Sequence, residues 1–138
     1  MNRTDYLIIG NSVSGVNAIE GIREYDSKGE ILVVSEEPFE NYSRPLISYF
    51  LGRKISQQQT RFRDESFYSD MKAHLLINNP AISLDCSNHA IELPAGKKIR
   101  YQKLLIATGA KPWFPPIDGL SNQLEGIFTF YSLNDAIS

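Results

Sequence analysis

Apolar positions over the first 35 residues follow two different periods. Tyr6, Leu7, Ile8 and Ile9 form a continuous apolar run ended by Gly10. Such a run predicts a strand covered on both faces, here over Asp5–Ile9. From Ser14 the period changes: Val16, Ile19, Ile22 and Tyr25 recur at spacing three, with Ala18 beside them. Glu20, Arg23 and Glu24 fall on other positions, so an amphipathic helix is expected, ending near Ser27–Gly29. Glu30–Ser35 is again nearly continuous and predicts a second buried strand. The three segments make a strand–helix–strand unit, the element of a parallel sheet.

Further along, Pro38–Ser43 reads as a loop, Leu46–Leu51 as a short helix closed by Gly52, and Gln57–Thr60 as a polar connection. Glu65–Ala73 predicts another helix. Strands are expected around His74–Ile77, Ala81–Asp85, Ala90–Leu93, Lys98–Tyr101 and Lys103–Ala107. Asn78-Asn79-Pro80, Ser87-Asn88 and Pro94-Ala95-Gly96 supply turns between them. Pro112, Pro115 and Pro116 impose an extended segment, and Ser132–Ser138 predicts the start of a helix.

Composition adds exclusions. A chain of 138 residues is long enough for one domain with a hydrophobic core. The net charge of −2 and the lack of a basic cluster argue against nucleic acid as a partner. No apolar run approaches bilayer-spanning length, so no membrane insertion is expected. The N-terminus lacks the h-region and small-residue cleavage site of a secretory signal. Cys86 is the single cysteine, which rules out a disulfide within the chain and fits a cytoplasmic location.

The first chemical motif is Gly10-Asn11-Ser12-Val13-Ser14-Gly15, set between a predicted strand and a predicted helix. Gly10 permits a tight turn, and Gly15 permits close packing of helix on strand. Free N–H groups at the helix start, at the positive end of its dipole, suit a pyrophosphate. Ser12 stands where such loops commonly have a middle glycine; its hydroxyl can itself donate to a phosphate oxygen. The competing reading is a strand-to-helix turn without a ligand. Glu36 follows the second strand, 21 positions beyond Gly15. A carboxylate there can accept both ribose hydroxyls of an adenosine and would repel a 2′-phosphate. A solvated loop carboxylate beside Glu37 is the alternative.

Here the chain resembles the pyridine nucleotide–disulfide oxidoreductase superfamily of two-dinucleotide flavoproteins. A second motif carries the resemblance: Ile99 to Pro112 includes Leu104-Leu105-Ile106-Ala107-Thr108-Gly109-Ala110-Lys111-Pro112, similar to the family's strand ending in A-T-G-A-x-P. The short strands between Ala81 and Tyr101 resemble the three-stranded β-meander that the family inserts before that strand. The resemblance implies an α/β fold, a Rossmann-like FAD-binding domain with a parallel sheet, helices and the inserted meander. In these enzymes the N-terminal fingerprint holds the ADP part of FAD, so FAD rather than NAD is implied here. Backbone of Ala107, Thr108 and Gly109 would pass the cofactor. Asn41 to Tyr49 resembles the segment that passes the flavin in rubredoxin-, ferredoxin- and nitrite-reductase-like members. Arg44 would contact the pyrophosphate or flavin side, unless it is a surface cation or pairs with Glu36, Glu37 or Glu40. Ser48 would face the ribitol, and Ala81 sits where relatives hold the adenine by backbone atoms. Tyr49 replaces a lysine found in many relatives.

Family members with dithiol or single-cysteine chemistry carry cysteine near this segment, and no cysteine lies between Glu36 and Arg53. Cys86 is expected to be a structural or incidental thiol rather than a redox centre, since nothing near it in sequence would lower its pKa. His74 and His89 lack neighbours at ligand spacing, so no metal site is expected. No catalytic residue is assigned. The resemblance implies a parent protein in which NADH reduces FAD and electrons pass to a small redox protein. Residues 1–138 would be the N-terminal part of the FAD domain, with the NAD(P)H domain and a later flavin-contacting segment in the rest of the parent chain. This part alone would be inactive. The alternative is a non-catalytic Rossmann-like adenine-nucleotide-binding or interaction module.

Overall fold

A computed structural model describes residues 2–120 and 124–138. In chain order the elements are β1 (Arg3–Ile9), α1 (Val13–Tyr25), β2 (Ile31–Val34), α2 (Ile47–Leu51), α3 (Phe67–Asp70), β3 (Ala73–Leu76), β4 (Ser83–Asp85), β5 (Ala90–Leu93), β6 (Lys97–Ile106) and α4 (Leu133–Ile137). The chain divides into two units: Met1–Tyr42 with Phe62–Gly109, and Ser43–Arg61 with Ala110–Ser138.

The first unit holds all six strands in one mixed sheet, ordered β3-β2-β1-β6-β5-β4. β3, β2, β1 and β6 run parallel, with Leu7 opposite both Leu32 and Leu104. β4, β5 and β6 are antiparallel. Four parallel strands in the order three-two-one-then-six are one half of a doubly wound α/β sheet, with β6 as the first strand beyond β1.

The continuous apolar runs have a direct cause. All four residues of β2 are buried, and alternate side chains serve different cores. Ile31 and Val33 pack with Ile8, Val16 and Ile19, and with Phe67 and Tyr68 of α3. Leu32 and Val34 pack on the other face with Leu7, Ile91, Leu93 and Ile99. Each fully buried aliphatic side chain of this kind contributes about 1.5–3 kcal/mol.

Two differences from expectation are physical. The helix expected over Glu65–Ala73 is reduced to the single turn Phe67–Asp70. Lys72 takes a left-handed φ of 49°, which ends the turn and leads Ala73 into β3 opposite Ile31. The strands expected at Lys98–Tyr101 and Lys103–Ala107 are one strand of ten residues. Gln102 does not break it, because its side-chain amide donates to Asp5 Oδ1 of β1 at 2.6 Å. The third strand of the meander and the parallel strand are therefore the same segment. Lys97–Arg100 pairs with β5, and Arg100–Ile106 continues against β1. Beyond Tyr101 the second edge of β6 has no strand partner among the described residues, and Leu105 and Ile106 are exposed.

In the second unit a 3-10 turn over Arg44–Leu46 leads into α2, which packs against α4. Ile47 and Leu133 are its buried apolar anchors. Ser132 opens α4 with a capping box: its hydroxyl accepts from Asp135 N, and the Asp135 carboxylate accepts from Ser132 N at 2.9 Å.

Candidate dinucleotide-binding site

The carboxyl ends of three neighbouring parallel strands meet at one edge of the sheet. Gly10 follows β1 and donates its N–H to Val34 O of β2 at 2.9 Å. Ala107 follows β6 and donates to Ile9 O at 2.8 Å. Ser35 follows β2 and donates to Leu76 O of β3. β1 lies where the winding of the sheet reverses, between β2 and β6, and ligands of open α/β sheets bind at that crevice.

The glycines are dictated by space. Gly10 has a φ of 114°, and a Cβ on it would collide with the Ala107 carbonyl. A Cβ on Gly15 would collide with the Gly10 carbonyl oxygen, so the first turn of α1 can rest on the strand end only as glycine. Ser12 is the N-cap of α1, and its hydroxyl makes no capping bond. The first intrahelical bond is Val16 N to Ser12 O, so the N–H groups before it have no acceptor within the helix. No acidic residue lies in the first turn. A glycine-lined approach, unspent helix donors and no opposing carboxylate fit a pyrophosphate. Asn11, Ser12, Val13 and Ser14 thus stand together at the helix start.

Glu36 is exposed at the end of β2. The backbone on either side of it is held: Asn79 N donates to Ser35 O at 2.8 Å and Asn78 N to Glu37 O at 3.1 Å. Glu37 is engaged differently, accepting a hydrogen bond from the Tyr42 hydroxyl. The turn that grips these residues leads directly to Pro80 and Ala81. Ala81 is half-buried against the second core. Thr108 and Gly109 are exposed past the end of β6, Gly109 with a φ of 68°.

Arg44 and Ser48 belong to the second unit. The Arg44 guanidinium lies 3.9 Å over the Tyr131 ring, and its Nη1 donates to Tyr131 O at 2.9 Å. The Ser48 hydroxyl donates to Pro45 O at 3.2 Å. Burial raises the pKa of Asp135, but bonds from Ser132 and Tyr131 N–H groups, with Arg44 nearby, outweigh it and hold the carboxyl below its usual range.

The sequence profile of the pyridine nucleotide-disulphide oxidoreductase family matches residues 4–137. The chain belongs to this family. It is 33% identical over 137 residues to the NADH-dependent phenylglyoxylate dehydrogenase subunit epsilon of Aromatoleum evansii, covering 99% of this chain and 32% of that protein. It is 31% identical over 131 residues to rubredoxin-NAD(+) reductase of Ectopseudomonas oleovorans, covering 94% of this chain and 34% of that one. The fold matches the crystal structure of NADH:rubredoxin oxidoreductase from Clostridium acetobutylicum with a TM-score of 0.81 and 26% identity, over 98% of this chain and 34% of that one. The chain therefore spans about a third of the length of these relatives. Membership bears out the expected oxidoreductase family and its FAD cofactor.

Reading the sequence missed how this family member holds its glycine-rich loop. Tyr68 of α3, 8% exposed, donates its hydroxyl to Asn11 Oδ1 at 2.7 Å. Asn41, 1% exposed, donates from Nδ2 to the Tyr68 hydroxyl at 3.4 Å. Asn41 Oδ1 accepts from Phe62 N at 3.2 Å and Arg63 N at 2.8 Å. Arg63 in turn grips Glu20 of α1 through two bonds, 2.7 and 3.0 Å. Burial pushes the Tyr68 phenol above its ordinary 10.0, with the bonds to Asn41 and Asn11 pulling the other way. The bond from Arg63 holds Glu20 below the usual carboxylate range. No spacing rule links these residues, so no local signal announced them.

No described helix is long and apolar enough to cross a membrane. Among the described residues no His, Cys, Asp and Glu group could hold a metal ion.

Proposed function

We propose that this chain is the FAD-holding portion of an NAD(P)H-dependent flavoprotein reductase that works without a redox-active disulfide. The observation that carries the reading is the convergence of Gly10–Gly15, Ser35-Glu36 and Ala107–Gly109 at the carboxyl ends of adjacent parallel strands. The loop's N–H groups and the Ser12 hydroxyl would hold the pyrophosphate. Glu36 would accept the ribose hydroxyls of the adenosine, and backbone at Ala81 would meet the adenine. Ala107, Thr108 and Gly109 would let the cofactor pass close to backbone. Arg44 would contact the pyrophosphate or flavin side of FAD, and Ser48 would face the ribitol.

Bound FAD supplies the redox centre through which electrons pass between donor and acceptor. This chain's residues bind and orient it and set its electrostatic surroundings. The direct, thiol-free route rests on the sequence: the one cysteine, Cys86, is exposed in the turn between β4 and β5. NADH as donor and a small redox protein as acceptor follow the relatives' named activities, and a reducing cytoplasm suits a chain with one free thiol.

The test is reconstitution. The full-length protein, stripped of flavin, should rebind FAD and bind ADP, and should bind a 2′-phosphorylated dinucleotide more weakly. Failure to bind any adenine dinucleotide would leave a fold without its cofactor site and favour an interaction module.

A further inference from the structure

We infer that Tyr68 is a positioning residue for the phosphate loop, acting through Asn11 and held in turn by Asn41. The inference rests on the reading of Gly10–Gly15 as a phosphate site and deepens it.

Asn11 sits between Gly10, at a φ of 114°, and Ser12, the N-cap of α1. Whatever fixes the Asn11 side chain fixes the backbone that carries the first phosphate donors. Its carboxamide is bonded to α3 and to the backbone at Phe39. Oδ1 accepts from Tyr68, and Nδ2 reaches Phe39 O at 3.5 Å. The donor identities leave one consistent assignment. Asn41 Oδ1 is occupied by two backbone N–H groups, so Nδ2 must face Tyr68. The phenol oxygen therefore accepts from Asn41, and its single proton goes to Asn11 Oδ1.

The ring that ends in this hydroxyl is wedged into the core, edge-on to Phe67 at 5.1 Å between centroids. The anchor is accordingly rigid. A closed circuit results: α1 through Glu20 to Arg63, to Asn41, to Tyr68, to Asn11, and back to the start of α1. The salt bridge in it is one-third exposed and adds little stability by itself. Its value is geometric, since it ties the loop holding Asn41 to the helix whose first turn binds.

The sequence supplies the reason a tether is needed. With glycine at position 12, phosphate oxygens can approach the loop from a range of positions. Ser12 adds a Cβ and narrows that range. A loop free to shift would then bring Cβ rather than N–H toward the ligand. Holding Asn11 keeps the donors forward.

The experiment measures ADP and adenosine as competitors of FAD rebinding to the flavin-stripped full-length protein. Tyr68→Phe deletes one oxygen and keeps the ring. ADP affinity should fall about 5- to 10-fold, with adenosine affinity unchanged. Asn11→Ala, which also removes the contact to Phe39 O, should lose at least as much, and the double variant Asn11→Ala/Tyr68→Phe no more than Asn11→Ala, because the Asn11–Tyr68 bond is then already gone. ADP binding unchanged in Tyr68→Phe, or equal loss of ADP and adenosine, overturns the positioning role. Gly15→Val separates the two readings. If it leaves ADP binding intact, the phosphate-loop assignment itself fails and the positioning role with it. If it abolishes ADP binding while Tyr68→Phe does not affect it, only the positioning role fails.

Discussion

Two glycines of the same helix show how much a single residue's surroundings decide. A Cβ at Gly15 would collide with the Gly10 carbonyl oxygen, whereas at Gly21 it would meet nothing within 4 Å. Gly15→Val should therefore separate α1 from the end of β1 and weaken ADP binding by more than about 10-fold, read by titration. Gly21→Ala should stabilise the protein by about 0.5–1 kcal/mol through helix propensity and leave ADP affinity unchanged, read by urea unfolding. Glu36→Ala should cost about 10-fold in ADP affinity, the scale of a hydrogen bond to a charged group, and should narrow the preference against a 2′-phosphate. Equal affinity would return Glu36 to a solvated loop carboxylate. The motif glycines were legible because a turn and a close helix–strand contact each leave a signature in residue type. The Ser12 substitution was legible too, but its consequence for Asn11 was not.

At the scale of elements, α1 ends where Asp26 gathers donors. Its carboxylate accepts from Lys28 N at 2.9 Å, Gly29 N at 2.8 Å and the Tyr6 hydroxyl at 2.9 Å, tying the helix exit to β1. The Gly29 and Lys28 N–H bonds hold Asp26 below its ordinary 3.8, with Tyr6 assisting. A depressed carboxyl stabilises the fold above its unfolded value, and that contribution is lost as pH falls through the lower, folded value. Stability should thus decline as pH drops below 3.8, and Asp26→Asn should flatten that part of the curve, followed by thermal unfolding across acid pH. The helix itself was legible from its three-residue spacing, although its end, expected near Ser27–Gly29, falls at Tyr25. The α3 region was not. Phe67 and Tyr68 are apolar-rich neighbours that suggest a longer helix, and only the demand of β3 for Ala73 opposite Ile31 shortens it.

Across the whole molecule, β1 and β2 are covered on both faces and join the two cores of the first unit. Leu32, 1% exposed, serves the face built with Ile91, Leu93 and Ile99. Leu32→Ala should cost about 2–5 kcal/mol, visible as a lower urea midpoint. A loss below about 1 kcal/mol would mean that this core collapses around the cavity. The family and the order of its motifs were open to inspection in the sequence, because each motif is a short run of neighbours: a strand end, a glycine turn, an acid after the second strand. The single long β6 was not, since Gln102 looks like a break until Asp5 is placed beside it.

What the sequence determined by itself were the local elements around the site: β1, α1, β2, the glycine-rich turn and Ala107–Gly109. Period, glycine freedom and charge act over a few residues and can be read there. What only the tertiary structure decided was which distant side chains hold that turn in place. Asn11 and Tyr68 are 57 positions apart, and Glu20 and Arg63 are 43 apart. A hydrogen bond across such a gap depends on how β3, α3 and α1 pack, and packing is settled by the whole core rather than by any stretch of neighbours.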